Sequence, residues 1–196
     1  MIGYIKGHVT FKSPTFIYVE TGGVGYHINI SLNTYAKVEK LEQVKLFTHF
    51  HVKEDSQTLY GFFEAEERAL FVDLLSVSGI GPNTARIILS SMTPSEAKHA
   101  ILAEDELPFK QVKGVGAKTA KQIILDLKSK IARGSDSSLL VPVRDNTLRE
   151  EALSALLALG FNRSKILTAI SEVYKADPQV DRVESLIKGS LKHLSS

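Results

Sequence analysis

The apolar positions of this chain change period along its length. In residues 1 to 62 they alternate: Ile2, Tyr4 and Lys6 interleave with Gly3, Ile5 and Gly7, and Phe16-Ile17-Tyr18-Val19 forms a short β-rich run. Tyr26 to Leu32 alternates again, Val44, Leu46, Thr48, Phe50 and Val52 share one strand face, and Leu59-Tyr60-Gly61-Phe62 makes a last strand. Short alternating runs separated by turns such as Gly22-Gly23-Val24-Gly25 predict a small barrel, and at this length a five-stranded OB-type barrel is the natural candidate.

From residue 64 to 133 the spacing becomes helical. Leu70, Phe71, Leu74 and Leu75 lie on one face of a helix from Glu66 to Leu75, and further helices are expected over Thr84 to Met92 and Ala117 to Ile131. Thr93-Pro94-Ser95-Glu96 reads as a helix start, with Thr93 as N-cap, Pro94 at N1 and Glu96 at N3. Gly134-Ser135-Asp136-Ser137-Ser138 and Pro142 then predict a flexible linker over 134–146. Residues 147–196 predict three helices. The first is capped by Thr147 and ended by Gly160, the second runs from Asn162 through Tyr174, and the third follows Asp177-Pro178 from Val180 to Leu194. The fold class is therefore α+β, with a barrel over 1–63, paired helix–turn–helix units over 64–133, a linker, and a small helical module.

The helical middle contains an internal repeat. Val77-Ser78-Gly79-Ile80-Gly81-Pro82-Asn83-Thr84-Ala85 recurs as Val112-Lys113-Gly114-Val115-Gly116-Ala117-Lys118-Thr119-Ala120, every pair offset by 35 positions (112 minus 77). A glycine turn has no Cβ to block close approach, and its amides open the next helix, where the dipole favours an anion. The spacing fails a Walker motif, because Ala117 stands between Gly116 and Lys118, and the Rossmann pattern lacks its strand and third glycine. ATP binding is not expected. Helix–hairpin–helix fits: Ile80 and Val115 would plug each hairpin into its two-helix core, and the exposed amides would take one phosphate each without reading bases. The other reading of the same residues is an αα-corner with glycine chosen only for the bend.

Charge favours the first reading. The 196 residues carry a formal net charge of only +2, but Lys110, Lys113, Lys118, Lys121, Lys128, Lys130 and Arg133 are opposed in that stretch by Asp126 alone. Such a run is usually a solvated helix face; beside a phosphate-type turn it points to a polyanion. The C-terminal module, with eight basic and eight acidic residues over 134–196, has no such bias and suits protein docking. No cysteine is present, so disulfides and thiolate metal sites are excluded. The start of the chain is strand-like rather than a signal peptide, and no stretch is long enough to span a membrane, so a cytoplasmic location is the default.

Glu54-Asp55 falls in Lys53-Glu54-Asp55-Ser56-Gln57, the expected tip of a hairpin. Acids are common turn residues. In a DNA-binding protein such a tip would instead repel phosphates and steer strands apart, at about 1 kcal/mol per close charge pair in water and more where water is excluded. His49 and His51 share a strand face without a third ligand nearby, and read as packing or surface residues rather than a metal site. No catalytic constellation, metal site or cofactor is expected.

These motifs together resemble the RuvA family, the Holliday junction-binding subunits of the bacterial branch-migration machine. The resemblance covers nearly the whole chain: Met1-Ile2-Gly3, Gly22-Gly23-Val24-Gly25-Tyr26, Phe47-Thr48-His49-Phe50, Glu54 through Phe62, both glycine hairpins, and Ala155-Leu156-Leu157-Ala158-Leu159-Gly160-Phe161. It implies an OB-fold, a tandem helix–hairpin–helix domain and a mobile, UBA-like three-helix domain. It also implies a homotetramer, or two face to face as an octamer, around four-way junction DNA in recombination and repair. The implied DNA-binding positions are Gly79, Ile80, Gly81, Asn83, Thr84 and Arg86 in the first hairpin, and Gly114, Val115, Gly116, Lys118, Thr119 and Lys121 in the second. Glu54 and Asp55 match the family's acidic pin, which would gather two carboxylates from each of four chains at the tetramer centre. The C-terminal module would bind the RuvB ATPase, with Leu156, Leu159 and Phe161 as either its contact surface or core residues of the module, and the RuvC nuclease is the implied partner for junction cleavage. Asn83 departs from the family, where a lysine is common, and shifts the expected contact there to backbone amides or Arg86. Two further readings stay open: a helix–hairpin–helix DNA-processing enzyme, and a general OB-fold scaffold for protein or single strands.

Overall fold

The structure is a computed structural model that describes residues 2–136, 144–177 and 179–194, with the side chains of 133–147 outside the description. It divides into two units, Met1–Ser135 and Asp136–Ser196.

The first unit begins with strands β1 (Tyr4–Lys12), β2 (Phe16–Thr21), β3 (Val24–Ile30), β4 (Gln43–Val52) and β5 (Gln57–Phe62), closed into a barrel in the order β1-β2-β3-β5-β4. All neighbours pair antiparallel except β3 and β5, which run parallel over Ile28↔Leu59 to Ile30↔Gly61. Alternation fills the interior with Ile5, Ile17, Val19, Ile28, Ile30, Val44 and Leu46. Along β4 the inward row runs from buried Val44 to Val52, which is 57% exposed, so the β4–β5 tip projects beyond the core.

Between β3 and β4 the chain forms α1 (Leu32–Val38), where alternation predicts strand through Leu32. Ser31 explains the switch: its Oγ accepts from the Thr34 amide at 3.0 Å and caps the helix. A capping serine before an apolar-spaced run is the signal that alternation alone overlooks.

The helices α2 (Ala65–Leu75), α3 (Pro82–Ser91), α4 (Pro94–Leu102), α5 (Leu107–Lys110) and α6 (Ala117–Asp136) pack around Phe71, Leu74, Ile88, Leu89, Ile101, Phe109 and Ile123. Thr93 and Glu96 form the expected capping box, the Glu96 amide donating to Thr93 Oγ1 at 3.2 Å and the Thr93 amide to Glu96 Oε2 at 2.7 Å. Those hydrogen bonds hold the exposed Glu96 carboxyl below its usual range.

In the second unit α7 (Arg144–Ala158), α8 (Arg163–Ala176) and α9 (Val183–Leu194) enclose Ala152, Leu156, Ile166, Ile170, Val173 and Leu186. Asn162 caps α8 as expected, accepting from the Ser164 amide at 2.9 Å. Thr147 lies inside α7 rather than at its cap, because the helix starts at Arg144. Likewise α6 runs through Gly134, Ser135 and Asp136. Propagating a started helix costs at most about 1 kcal/mol per poor helix former, so both helices reach into the expected linker. The rest of that linker, 137–143, lies outside the described residues.

Candidate nucleic-acid interface

The two glycine hairpins have one backbone. Gly79 and Gly114 sit at φ +86° and +91°, in the left-handed region. The Ile80 amide donates to the Val77 carbonyl at 3.1 Å and the Val115 amide to the Val112 carbonyl at 3.0 Å. The Ala85 amide donates to the Gly81 carbonyl at 3.0 Å and the Ala120 amide to the Gly116 carbonyl at 2.9 Å. Val77, Ile80, Val112 and Val115 are buried in the shared core, so Ile80 and Val115 give their side chains to packing and leave only backbone for a ligand.

The second glycine of each hairpin precedes a helix, where glycine is favoured over alanine, but neither a left-handed backbone nor close packing demands it. Gly81 has an extended backbone at φ −91°, and a Cβ built on Gly81 or Gly116 would meet nothing within 4 Å. Neither turn geometry nor internal packing asks for glycine there. Without a Cβ, each of these glycines leaves the first amides of the following helix uncovered by a side chain of its own.

The helix starts agree. In α2 the first turn carries Glu66 and Glu67, and α4 is closed by its capping box. The first turns of α3 and α6 contain no acid, and the glycine before each has no side chain to cap with. The first amides of a helix lack intrahelical partners, so these two positive ends stay open to an anion. They differ in number: Pro82 has no N–H, which leaves Asn83 and Thr84 at the first start against Ala117, Lys118 and Thr119 at the second.

Side chains separate the hairpins further. Arg86 donates to the Thr15 carbonyl at 2.8 Å and to Asn83 Oδ1 at 2.9 Å, tying the first hairpin to the barrel. Asn33 Nδ2 donates to the carbonyls of Leu89 at 2.6 Å and Met92 at 2.9 Å, and so holds α3 from its other end. In the lysine run, Lys110 pairs with Glu106 at 2.6 Å, Lys130 pairs with Asp73 at 2.5 Å, and Lys128 pairs with Glu104. Lys113, Lys118 and Lys121 have no carboxylate within salt-bridge distance among the described residues. The cations left over are the three at the second glycine turn. The Arg133 side chain lies outside the described residues.

A buried carboxylate that sequence reading passes over positions the first hairpin. Glu67, 1% exposed, accepts from Ser31 Oγ and, at 2.7 Å, from Thr34 Oγ1; Thr34 Oγ1 accepts in turn from the Phe63 amide at 3.1 Å. This network joins α1 of the barrel to α2, the helix that leads into the first hairpin. Burial pushes the Glu67 carboxyl up, against the lowering effect of the Ser31 and Thr34 hydroxyls and of Lys37. Beside Glu66 in the sequence, Glu67 has no mark that sets it apart from a solvated acid.

Glu54 and Asp55 are exposed between β4 and β5, where the Lys53 amide donates to the Ser56 carbonyl at 2.8 Å and Ser56 Oγ to Asp55 Oδ1 at 3.3 Å. No cation pairs with either carboxylate among the described residues. His49 packs edge-on to Phe71 at 5.4 Å, and burial first, then His51 and Arg68, lowers its pKa. No group of three or more metal-ligating residues occurs among the described residues, and no described helix is long and apolar enough to cross a membrane.

Of the three expected docking residues in the C-terminal unit, Leu156 is fully buried and Phe161 packs against the same core, whereas Leu159 is 61% exposed. Leu156 lies in the core shared by α7, α8 and α9, the second of the two readings open for it. Leu157, at 39% exposure, joins Leu159 on the surface.

Comparison with known proteins matches three family models along the chain. A RuvA N terminal domain model matches residues 1–61, a SAM-like Helix-hairpin-helix tandem model residues 71–129, and a RuvA, C-terminal domain model residues 147–195. A protein of Christiangramia forsetii named Holliday junction branch migration complex subunit RuvA is 47% identical over 194 residues, 99% of this chain and 100% of its own length. Proteins of the same name from Cytophaga hutchinsonii (44%, covering 98% of this chain and 99% of the relative) and Bacteroides fragilis (42%, covering 99% and 100%) are similarly close. With similarity at this level running from end to end, the chain belongs to the RuvA family.

Proposed function

We propose that this chain is a structure-specific DNA-binding subunit that holds four-way (Holliday) junctions for branch migration. The observation that carries the reading is the pair of acid-free helix starts behind Gly81 and Gly116, glycines that no internal packing requires. Each start receives a phosphate of one DNA arm, and Lys118 and Lys121 add charge at the second. Backbone amides read no bases, so these contacts fix register on any arm rather than choose a sequence.

Selection of a crossover needs repetition. Four copies in a ring present four pairs of hairpins to four arms, and bring Glu54 and Asp55 of each chain to the centre. There the carboxylates repel duplex and separate strands. The C-terminal unit, reached through the 134–146 linker, docks the RuvB ATPase with Leu159 and Leu157 as its exposed apolar residues. ATP hydrolysis resides in that motor, and RuvC acts on the same junction in the cytoplasm.

A competition gel shift tests the reading. Four-way junction is expected to displace labelled junction at far lower concentration than duplex of equal length, with affinity falling steeply as salt rises. Equal competition by the two DNAs would remove junction specificity. Glu54→Gln with Asp55→Gln is expected to keep or strengthen binding while narrowing the junction-to-duplex ratio; an unchanged ratio and unchanged migration with RuvB and ATP reduce both acids to turn residues.

A further inference from the structure

The outer face of the barrel carries an aromatic stripe that phosphate binding does not use. Phe11, Phe16, Tyr18 and His27 form one connected group: Phe11–Phe16, Phe11–Tyr18 and Tyr18–His27 lie at 5.4 Å between ring centroids, Phe16–Tyr18 at 5.6 Å and Phe16–His27 at 4.6 Å. Their strand neighbours Ile17, Val19 and Ile28 are fully buried, so alternation turns Phe16, Tyr18 and His27 outward. Phe11 would point inward with Ile5 by the same rule. A register shift between Val9 and Phe11 re-aims it, placing it opposite Tyr18 on the outside, 47% exposed, with Tyr18 39% exposed.

Both ends of the stripe meet features already described. Phe16 follows Thr15, whose carbonyl Arg86 holds together with Asn83 of the first glycine hairpin. At the other end His27 lines an open groove of about 460 Å³ with Tyr26, Asn29, Phe50, Gln57 and Thr58. Gln57 and Thr58 begin β5, directly after the acidic tip. The stripe thus spans strands 1 to 3 of a five-stranded barrel between the β1–β2 and β4–β5 loops, the face on which such barrels take oligonucleotides.

We infer that this face is a stacking surface for unpaired nucleotides of the DNA held at the hairpins. The inference rests on the DNA-binding reading above. Flat rings and an imidazole, bordered by amide and hydroxyl groups at Asn29, Gln57 and Thr58, suit base faces and base edges; an aliphatic patch would suit a protein helix instead. Glu20, the next outward position on β2, limits the stripe on that side. Bases that lose their partners beside the acidic tip find rings along the groove and stack there.

The full chain is tested with three labelled probes: oligodeoxythymidylate of about 15 nucleotides, a fully paired four-way junction, and a junction with unpaired thymidines at its crossover. F11A/Y18A is expected to weaken the first and third by about tenfold and the paired junction by less than about twofold. K118A/K121A weakens all three; if it weakens none, the hairpin reading fails whatever the stripe does. The chain has no tryptophan, so Y18W places a single indole in the stripe and keeps an aromatic ring there. Its emission is quenched by the oligonucleotide and not by duplex. Unchanged single-strand affinity in F11A/Y18A, or an unquenched Y18W, overturns the inference. So does a smaller assembly of F11A/Y18A in sedimentation, which would assign the face to contact between copies of the chain.

Discussion

The two hairpins share a backbone and differ in how they are held. The first is braced: Arg86 and Asn33 fasten α3 to the barrel region, and the Glu67 network fastens the helix before it. Pro82 removes one amide, and Asn83 is spent on Arg86. The second follows the four-residue α5, has Lys113, Lys118 and Lys121 without an ion pair among the described residues, and offers one more amide. One hairpin therefore contributes position and the other charge. A repeat that looks symmetric in sequence has been divided by its surroundings into a hairpin tied to the barrel region and one that carries the charge.

The largest expected effect breaks the brace. Glu67→Ala leaves the Ser31 and Thr34 hydroxyls without their interior acceptor and opens a cavity, at a cost of about 3 kcal/mol by denaturant unfolding. Hydrogen exchange should rise first in α2 and the 77–81 turn, not at 112–116. Uniform loosening of both hairpins would refute the division. Because burial raises the Glu67 pKa, the folded state holds its proton more tightly than the unfolded chain. That stabilisation is complete below the ordinary glutamate range and is lost as pH rises through the raised value. Glu67→Gln, which does not titrate, should flatten that part of the pH–stability curve.

Charge comes next. K118A/K121A should weaken junction binding by roughly 30-fold at moderate salt and lower the slope of log affinity against log salt by about two. R86A should change the slope far less, since that guanidinium is engaged with Thr15 and Asn83. Equal slope changes would mean that the hairpins grip alike.

The glycines separate conformation from access. G81A and G116A introduce a methyl into open space, so stability should hold while junction affinity drops about tenfold, a little over 1 kcal/mol, from obstruction of the first amides. G79A and G114A should instead cost about 1 kcal/mol of stability each, because alanine resists the left-handed backbone. Loss of stability in the first pair would show that those glycines serve the fold rather than a ligand.

Much of this was legible in the sequence because it is local. Alternation along β4, the Thr93–Glu96 box and the Gly-apolar-Gly repeat each depend on residues a few positions apart, and local rules govern them. The brace was not legible. Glu67 meets Ser31 and Thr34, and Arg86 meets Thr15, only after the barrel and the helices pack, and nothing about Glu67 beside Glu66 or Arg86 on an amphipathic helix announces it. The fate of the lysines was hidden for the same reason: Lys128 on α6 is engaged by Glu104, which sits in the turn after α4. In the C-terminal unit, periodicity put Leu156 and Leu159 on one helix, but α7 ends at Ala158, so Leu156 packs into the core while Leu159 falls in the exposed turn that follows.

The smallest effect restores the symmetry. Asn83→Lys returns a cation to the second residue of α3, the position that Lys118 occupies in α6. It also removes the Oδ1 that accepts from Arg86, which keeps its bond to Thr15. The gain is one phosphate contact at an exposed site, so junction affinity should rise only about threefold, and the salt slope should steepen by about one. The two measurements answer different questions. A steeper slope without higher affinity would mean that the new lysine reaches a phosphate while the loosened Arg86 weakens the positioning of the hairpin. Higher affinity without a steeper slope would mean that Asn83 had been hindering approach. Only both together make the first hairpin a copy of the second, and show that its missing charge was exchanged for the tie to the barrel.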